Sequence, residues 1–459
     1  MAERFEIVEK ALTAMLEDKK YATLRDILAT MNPSDIAAVF QGLEDKKIPV
    51  MYRLLPKELA AETFVEMETD AQELLIRGFS DNELKEVLDE LYVDDAADLV
   101  EEMPANVVKR ILKQADPEMR SSINQILRYP EYSAGSIMTT EYVTLRPAMT
   151  VGEAILRIRR QGVDKETIYT CYVTAPDKTL IGLVTVKDLL LADDDEQLIS
   201  DIMEDHVISV ATHDDQEKVV QMFSKYNFLA LPVTDAEGRM VGIVTVDDAM
   251  DVMEDEATED MEMMAGIAPT DKPYVRAGVF EVVKSRIPWL LMMMLSSTFT
   301  GLILNGFENA LAVCTALTAF IPMLMGTGGN SGSQSSVAVI RSLSLGEVEF
   351  SDLARVVWKE IRISVLCGVI LAVCNFFKML LVDRLLLGNA GITVSVAAVV
   401  CITLVFVVMS AKIIGATLPL FAKKVGLDPA VMAAPFITTI VDALSLLIYF
   451  AVACAILPI

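Results

Sequence analysis

The chain has 459 residues, more than one ordinary domain, and a formal net charge of −26. This acidic excess argues against nucleic acid as a partner and favours cations. Only two histidines are present, His206 and His213, and HExxH is absent, which argues against a usual zinc enzyme.

The charge is distributed unevenly along the chain. Residues 1–286 carry 57 acidic and 30 basic side chains, whereas residues 287–459 have a balance of +1. The N-terminus is charged and amphipathic, without the apolar core of a signal peptide, so we expect the soluble part in the cytoplasm. The six cysteines form no CxxC pair and five lie in apolar segments, which is typical of small core residues. The sequence therefore indicates an acidic soluble part joined to an apolar part.

Residues 1–132 are predicted to form a helical domain. A turn signal with Pro, Ser or Asp recurs about every 24 residues, in MNPSDIAAVF, LPKELAAETF, FSDNELKEVL and EEMPANVVKRIL. Each signal is followed by Leu, Val or Phe at helical spacing. This pattern predicts a stack of short helix pairs, a superhelical module.

A second repeat is clearer. LIGLVTVKDLL begins at Leu180, and MVGIVTVDDAM begins sixty residues later at Met240. Each copy is predicted to contain a strand, a helix, two strands and a final helix. The pair resembles a tandem CBS module, a Bateman module, which we place at 133–200 and 201–253.

CBS pairs usually sense adenosine nucleotides or metal ions. The resemblance makes Tyr172, Thr185 and Asp188 candidate nucleotide-binding residues, with Thr245 and Asp248 at the matching positions of the second copy. An equally supported alternative is that Thr and Asp only cap the helix that follows.

An acidic segment, DDAMDVMEDEATEDMEMMAG, covers residues 247–266. It predicts one continuous helix that leaves the second CBS copy, and we assign the connecting helix and linker to 254–284. Its acidic side chains are spaced three or four residues apart, so like charges share a face. The segment therefore either presents a solvated acidic face or binds divalent cations that neutralise it.

Residues 285–459 are predicted to be a membrane domain. Five apolar stretches are long enough to cross a bilayer, at 288–305, 311–341, 361–382, 391–411 and 429–457. Basic residues flank alternate ends, which predicts a multi-pass protein with cytoplasmic N-terminal domains and an outside C-terminus. Five spans are few for a pore, so we expect a dimer.

Two polar features interrupt the apolar stretches. GTGGNSGSQSS runs from Gly326 to Ser336, and Asp442 lies near the middle of the last span. Glycines weaken a helix, and polar backbone or charge in a membrane must face protein or water. We therefore predict a broken helix whose polar groups face Asp442 around the path of a hydrated cation such as Mg²⁺. The alternative is a structural Asp442, protonated or paired with Lys412, which we expect near one end of its span.

In this order, the helical domain, the CBS pair, the acidic helix, PMLMGTGGNSGSQSS and PFITTIVD resemble the MgtE family of bacterial Mg²⁺ channels. The resemblance covers nearly the whole chain. It implies a multidomain fold, with α, α/β and membrane all-α parts, and a homodimer with its pore at the dimer interface in the plasma membrane. It also implies that intracellular Mg²⁺ binds the cytosolic domains and the connecting "plug" helix and closes the pore.

The resemblance assigns roles to individual residues. The pore and ion-binding candidates are Gly326, Gly329, Asn330, Ser333, Gln334, Thr438 and Asp442. The regulatory metal candidates are Asp94, Asp95, Asp98, Asp215, Glu217, Asp248, Asp251, Glu256, Glu259 and Asp260.

The chain departs from the family pattern at three positions. Ser333 and Ala434 stand where relatives often have Asn, which reduces the polarity of the pore. Thr170 stands where some relatives place an aromatic residue against ATP, which weakens the case for ATP as a ligand.

The predicted function is Mg²⁺-selective import, with Mg²⁺ as both substrate and regulatory ligand. The alternative is a nucleotide-sensing, CBS-regulated transporter of another divalent cation or solute, with Asp442 as its ion or proton site. The spans contain no Ser–His or Cys–His set, so we do not expect an enzyme. The expected partners are a second copy, the lipid bilayer and Mg²⁺.

Overall fold

The computed structural model describes residues 2–270, 274, 277–389, 391–432 and 434–457. The chain divides into two compact units, called unit 1 (Met1–Met253) and unit 2 (Glu254–Ile459).

Within the described residues 2–126, ten short helices form the first part of unit 1. Asn32 and Asp116 cap two of them, and Ser80 forms a capping box with Glu83. Their apolar faces share one core, which confirms the predicted amphipathic helices. They are α1 (Ala2–Glu17), α2 (Tyr21–Leu28), α3 (Pro33–Gln41), α4 (Ile48–Tyr52), α5 (Lys57–Val65), α6 (Thr69–Gly78), α7 (Asp81–Leu88), α8 (Val93–Glu102), α9 (Ala105–Gln114) and α10 (Pro117–Ile126).

Two three-stranded sheets follow. In each sheet the first strand pairs in parallel with the second, and the second pairs antiparallel with the third. Thr170 pairs with Thr185 and Ala230 with Thr245, so the sheets repeat the same register sixty residues apart. The predicted order of strands and helices is confirmed. The elements are β1 (Thr144–Leu145), α11 (Val151–Gln161), β2 (Thr170–Thr174), β3 (Leu180–Thr185), α12 (Val186–Leu190), α13 (Ile199–Ile202), β4 (Val210–Ala211), α14 (Gln216–Tyr226), β5 (Ala230–Thr234), β6 (Met240–Thr245) and α15 (Val246–Met264).

The acidic segment folds as predicted into one continuous helix, α15. It begins directly after β6, so it is also the last helix of the second CBS copy.

Unit 2 is helical. Among the described residues, four stretches are long and apolar enough to cross a membrane: Val279–Gly306, Phe350–Leu386, Val394–Lys424 and Pro429–Ile456. A further long helix, α18, has 24 residues and contains the polar stretch. The helices are α16 (Val279–Gly306), α17 (Glu308–Val313), α18 (Ile321–Ser344), α19 (Leu353–Lys378), α20 (Val394–Lys424) and α21 (Ala434–Ile456), with π-helical turns at Met379–Leu386 and 3₁₀ turns at Thr315–Phe320, Phe350–Asp352 and Pro429–Met432.

The predicted break in the polar stretch is wrong, because α18 runs through it without interruption. Neighbouring helices pack onto its small residues. A Cβ atom at Gly328 would lie 2.8 Å from Val407 Cγ1, and one at Gly332 would lie 2.7 Å from Ile437 Cγ2. Close helix packing of this kind outweighs the helix penalty of about 1 kcal/mol for each glycine.

The predicted bounds of two spans are also wrong. The stretch 311–341 is divided among α17, a 3₁₀ turn and α18, and α20 extends well past residue 411, to Lys424. Lys412 consequently lies in the interior of α20, where it is buried, instead of near a helix end.

Candidate cation sites

Helix α18 has a polar face that the described part of the chain leaves exposed. Gly326, Asn330 and Gln334 are exposed at intervals of four residues, and Ser333 beside them is half-buried. Residues four apart lie on the same side of a helix. The opposite side is buried and carries Gly328, Gly332, Ser335 and Ser336. The helix therefore packs through small residues and presents its amide side chains away from the bundle.

The register between α18 and α21 places Asp442 beside this face. A Cβ atom at Gly329 would lie 3.0 Å from Thr438 Cγ2, and one at Gly328 would lie 2.9 Å from Val441 Cγ1. Asp442 follows Val441 directly and lies one turn beyond Thr438. The structure thus brings Gly329 and Thr438 together and places a half-buried Asp442 near the level of Gly326.

Lys412 is occupied elsewhere. Its Nζ donates to Ser335 Oγ at 3.3 Å, and Ser335 Oγ donates to Glu360 Oε2 at 2.7 Å. Lys412, Ser335 and Glu360 are 6%, 2% and 8% exposed. In the part of the chain that the structure describes, the pair of Asp442 with Lys412 is therefore not formed.

The Lys412–Ser335–Glu360 network joins α18, α19 and α20 in the bundle interior. Sequence reasoning missed Glu360, although an acid inside an apolar helix is itself a signal. A buried charge is stable only when other groups compensate it. The network therefore fixes the side of α18 that turns inward.

A second group of acids lies in unit 1. Carboxylate oxygens of Asp94, Glu141 and Glu166 all lie within 4.8 Å of one another. Asp94 belongs to α8, Glu141 precedes β1, and Glu166 lies between α11 and β2. Glu141 Oε2 accepts a hydrogen bond from Val93 N at 3.1 Å, which ties the first CBS copy to the start of α8.

The charges in this group repel one another. Burial, followed by Asp248 and Asp95, raises the pKa of Asp94 well above its usual range. Burial, again with Asp248 as the largest charge contribution, raises the pKa of Asp95 to about 7 and that of Glu166 to about 8. We call Asp94, Asp95, Glu141, Glu166 and Asp248 the unit 1 acid cluster.

Two atoms of the cluster show that it suits a cation. Asp94 Oδ1 and Glu166 Oε2 are buried and have no hydrogen-bond partner among the described residues. Oxygens on opposite sides of an octahedral Mg²⁺ lie about 4.2 Å apart, which the observed spread of oxygens accommodates. Sequence reasoning missed Glu141 and Glu166, because nothing in their local sequence marks them.

The other acids expected to bind metal lie apart from this cluster or at its edge. Asp98 and Asp251 are exposed. Asp215 caps α14 and accepts a hydrogen bond from the backbone N–H of Glu217 at 2.8 Å. A capping role therefore accounts for Asp215.

Glu256, Glu259 and Asp260 lie on the part of α15 that belongs to unit 2, each half-buried. Burial, then Asp428 and Glu256, raises the pKa of Asp260 to about 6, against the opposing effect of Arg341. Asp428, in the turn before α21, is a further acid that sequence reasoning missed.

The first CBS copy contains a cavity of about 480 Å³. Tyr169, Thr170, Thr185 and Lys187 supply its polar lining. Asp188 donates its backbone N–H to Thr185 Oγ1 at 3.2 Å in a capping box, so this pair does cap α12, and Thr185 also lines the cavity.

Tyr172, a candidate nucleotide contact, does not line this cavity. It is fully buried in a cluster with Ala230 and Ile243 of the second copy, because the middle of β2 faces the other repeat. Tyr169, two-thirds exposed at the cavity, is the available aromatic side chain.

Comparison with known proteins identifies the domains of the chain. Residues 321–452 match the divalent cation transporter family MgtE, residues 31–132 match the MgtE intracellular N domain, and residues 134–195 and 199–255 match CBS domains. The magnesium transporter MgtE of Thermus thermophilus is 36% identical over 447 residues, which cover 96% of this chain and 97% of that protein. The chain belongs to the MgtE family of magnesium transporters. The magnesium transporter MgtE of Bacillus subtilis is 33% identical over an alignment that spans 96% of this chain and 95% of that protein.

Two solved structures each resemble about half of this chain. One is the cytosolic domain of the Mg²⁺ channel MgtE in complex with ATP, at 37% identity and a TM-score of 0.51. It covers 53% of this chain and 99% of its own. The other is the soluble part of a magnesium transporter, at 32% identity and a TM-score of 0.51, which covers 55% of this chain and 99% of its own.

Membership of the MgtE family confirms several predictions. The protein belongs to a family of membrane transporters, not of enzymes, and Mg²⁺ is the ion that this family transports. The intracellular N domain, the CBS pair and the apolar C-terminal helices are those that the sequence predicts.

Proposed function

We propose that this MgtE protein is a homodimeric channel that imports Mg²⁺ across the plasma membrane, with its C-terminus outside. The observation that carries the proposal is the open polar face of α18. Gly326, Asn330 and Gln334 face away from the bundle in a membrane domain, where lipid does not satisfy polar groups. A second copy that faces this surface would enclose a polar path between the two chains.

The chemistry of this face suits a hydrated cation. Asp442 supplies negative charge beside the path, and Asn330, Ser333 and Gln334 offer neutral oxygen atoms. Mg²⁺ sheds its water reluctantly and binds oxygen ligands, so polar groups that hold its water shell suit it. Lys412, a buried base of α20, donates to Ser335 on the opposite side of α18 from this face. An inside-negative potential drives import by about 2.3 kcal/mol per charge for each 100 mV.

We further propose that intracellular Mg²⁺ closes the channel by binding the acidic cytosolic residues. In the unit 1 acid cluster, Asp94 and Glu166 each have a buried oxygen available for it. Bound Mg²⁺ would stabilise only the compact arrangement in which α8, α15 and the first CBS copy bring these acids together. Glu256, Glu259 and Asp260 of α15, with Asp428, are the second candidate group, because burial and the nearby charges of Asp428 and Glu256 disfavour the ionised form of Asp260.

Mg²⁺ flux into liposomes tests the transport proposal. Purified wild-type protein is compared with Asp442→Asn, and the exposed Glu347→Gln serves as a matched control for loss of one carboxylate. We expect flux to fall at least about tenfold in Asp442→Asn, as for loss of a group worth about 1.4 kcal/mol in the conducting path, and to be unchanged in the control. Equal flux in all three proteins would show that Asp442 is structural.

A nucleotide site is a second candidate function. Tyr169 and Lys187 line the cavity of the first CBS copy, where an aromatic ring can stack on a base and an ammonium group can bind phosphate. A relative's cytosolic domain with 37% identity has been solved with ATP. We propose that an adenine nucleotide binds here and stacks on Tyr169. Tyr169 would take the role of the aromatic residue that some relatives have at the position of Thr170.

A further inference from the structure

The first three turns of α19 carry a basic face. Arg355, Trp358, Lys359 and Arg362 are spaced by three, four and seven residues, which places them on one side of the helix. All four are exposed, and Arg355 and Trp358 strongly so, with 86% of the Arg355 side chain and 60% of Trp358 accessible. We call them the α19 basic face.

The opposite side of α19 faces the bundle. Glu360, Ser364 and Gly368 are buried there, and a Cβ atom at Gly368 would lie 3.1 Å from the backbone of Val405 in α20. The basic side chains therefore cannot turn inward, and they lie on the outer surface of unit 2.

Local contacts hold the face in shape. The Arg362 guanidinium lies 6.0 Å from the centroid of the Trp358 ring, and its Nε donates to the Trp358 carbonyl oxygen at 3.4 Å. Arg355 donates to Asp352 at 2.7 Å, so one of the three positive charges of the α19 basic face is paired locally. The guanidinium of Arg362 has no carboxylate partner among the described residues, and the Lys359 ammonium likewise forms no salt bridge there.

A second helix adds a base at the same end of the bundle. Lys424, at the C-terminus of α20, lies 4.1 Å from the centroid of the Phe350 ring, just before α19. Phe350 in turn packs edge-on against Phe421 at 5.4 Å. Two half-exposed or exposed aromatic rings and a further cation thus border the α19 basic face.

The same side of α19 continues as an exposed apolar stripe. Leu366, Ile370, Val373 and Phe377 are 50–67% exposed and follow Arg362 at helical spacing. An apolar stripe on a long membrane helix is covered by lipid chains, so bases and a Trp at its end lie at the level of the headgroups.

We propose that the α19 basic face, with Lys424, binds the headgroups of anionic phospholipids. The bases lie on the lipid-facing side of the helix itself, directly above the stripe that acyl chains cover, so a single lipid can contact both. Arginine recognises phosphate through paired N–H donors, and each base near an anionic surface contributes to attraction. The inference requires only that α19 crosses the membrane, so it can fail or succeed independently of the proposed Mg²⁺ path.

The chain supplies its own reporter for a test. It has two tryptophans, Trp289 and Trp358, so the variant Trp289→Phe leaves one fluorophore within the basic face. The full-length variant is placed in liposomes that contain either brominated phosphatidylglycerol or brominated phosphatidylcholine at equal mole fraction. We expect the anionic lipid to quench Trp358 more strongly, to an extent that corresponds to roughly fivefold enrichment of phosphatidylglycerol over phosphatidylcholine near the ring. High salt should reduce this difference.

Charge variants separate the proposed site from the general membrane surface. In the Trp289→Phe background, replacing Arg355, Lys359 and Arg362 with Gln should equalise quenching by the two lipids, whereas Arg384→Gln beyond the far end of α19 should not. If the triple variant is not monodisperse, Arg355→Gln with Lys359→Gln, which leaves the Arg362–Trp358 contact intact, should still reduce the preference.

Either of two results would overturn the proposal. One is equal quenching of Trp358 by the two brominated lipids at low salt. The other is an anionic preference that persists when the bases are removed.

Discussion

Gly332 of α18 and Gly415 of α20 lie backbone against backbone. A Cβ atom built on Gly415 would overlap the carbonyl oxygen of Gly332, and one built on Gly332 would lie 3.2 Å from the carbonyl oxygen of Ala411. Only residues without a side chain allow two helices to approach so closely. The glycines that suggest a broken helix in the sequence therefore serve, in part, to hold a continuous helix against its neighbour.

Replacing Gly415 with Ala should destabilise the membrane domain. The added methyl group meets backbone, which cannot rotate away, so we expect a loss of about 1–3 kcal/mol or more. Thermal unfolding of the purified protein in detergent measures the change. Gly301→Ala on α16 is the matched control, because nothing lies within 4 Å of its Cβ position. Identical midpoints for the two variants would contradict the observed packing.

Lys412→Met should destabilise the protein strongly. Among the described residues, it leaves the buried Glu360 with only the Ser335 hydroxyl as its partner. Removing one member of a buried charged network costs about 3–5 kcal/mol. Adding Glu360→Gln to Lys412→Met should restore most of the stability, since the uncompensated charge is then absent. Thermal unfolding of the wild type, both single variants and the double variant gives the coupling energy between Lys412 and Glu360.

Lys378→Met provides the control for that cycle. Lys378 pairs with Asp383 at 2.7 Å but is half-exposed, so its loss should change stability by at most about 1 kcal/mol. If Lys412→Met proved as mild as this control, the network would not be the element that sets the orientation of α18.

Sequence periodicity predicts the elements of this chain well but predicts their contacts poorly. The repeats around Thr185 and Thr245 locate both CBS sheets, because strand pattern and helix caps are local properties. The burial of Tyr172 is not local, since it depends on the other repeat packing against β2. The continuity of α18 likewise depends on Val407 and Ile437, which belong to other helices.

The candidate sites divide in the same way. Asp442 stands out in the sequence because a carboxylate is rare in an apolar span. Glu141 and Glu166 do not, because acids are common in a chain with this charge and only the fold brings these two to Asp94. Asp428 is not predictable from the sequence for the same reason, because Asp260, the acid whose pKa it raises, lies far away in the sequence.

Tyr169→Ala should weaken binding of ATP to the full-length protein by roughly tenfold, since stacking on a base contributes about 1–3 kcal/mol. Lys187→Gln should weaken it as well, because the ammonium group lines the same cavity. Isothermal titration calorimetry in detergent measures both. Tyr226→Ala, which removes an exposed Tyr of the second CBS copy that stacks on Phe228, is the control and should leave affinity unchanged. Unchanged affinity in the Tyr169 variant would place the nucleotide elsewhere or show that none binds.

The raised pKa values in the unit 1 acid cluster predict how stability depends on pH. In the folded, cation-free protein the pKa of Asp95 is about 7 and that of Glu166 about 8, whereas the ordinary values are 3.8 and 4.5. The folded state therefore binds more protons than the unfolded state across this range. The contribution of these two groups to the free energy of unfolding should be complete below about pH 4. It should fall as the pH rises towards 8, by up to about 1.4 kcal/mol per pH unit for each group.

Denaturant unfolding of a fragment ending at residue 265, which contains all of unit 1 with its own cores, measures this dependence in the presence of a chelator. Addition of Mg²⁺ should restore stability at the alkaline end, because the cation replaces the lost protons and binds only the folded arrangement. Glu166→Gln should flatten the decline and reduce the gain from Mg²⁺, whereas Glu62→Gln, at an exposed site on α5, should change neither. Stability that is constant or rises from pH 5 to 8 without cation would show that these acids do not repel one another as their burial and spacing require.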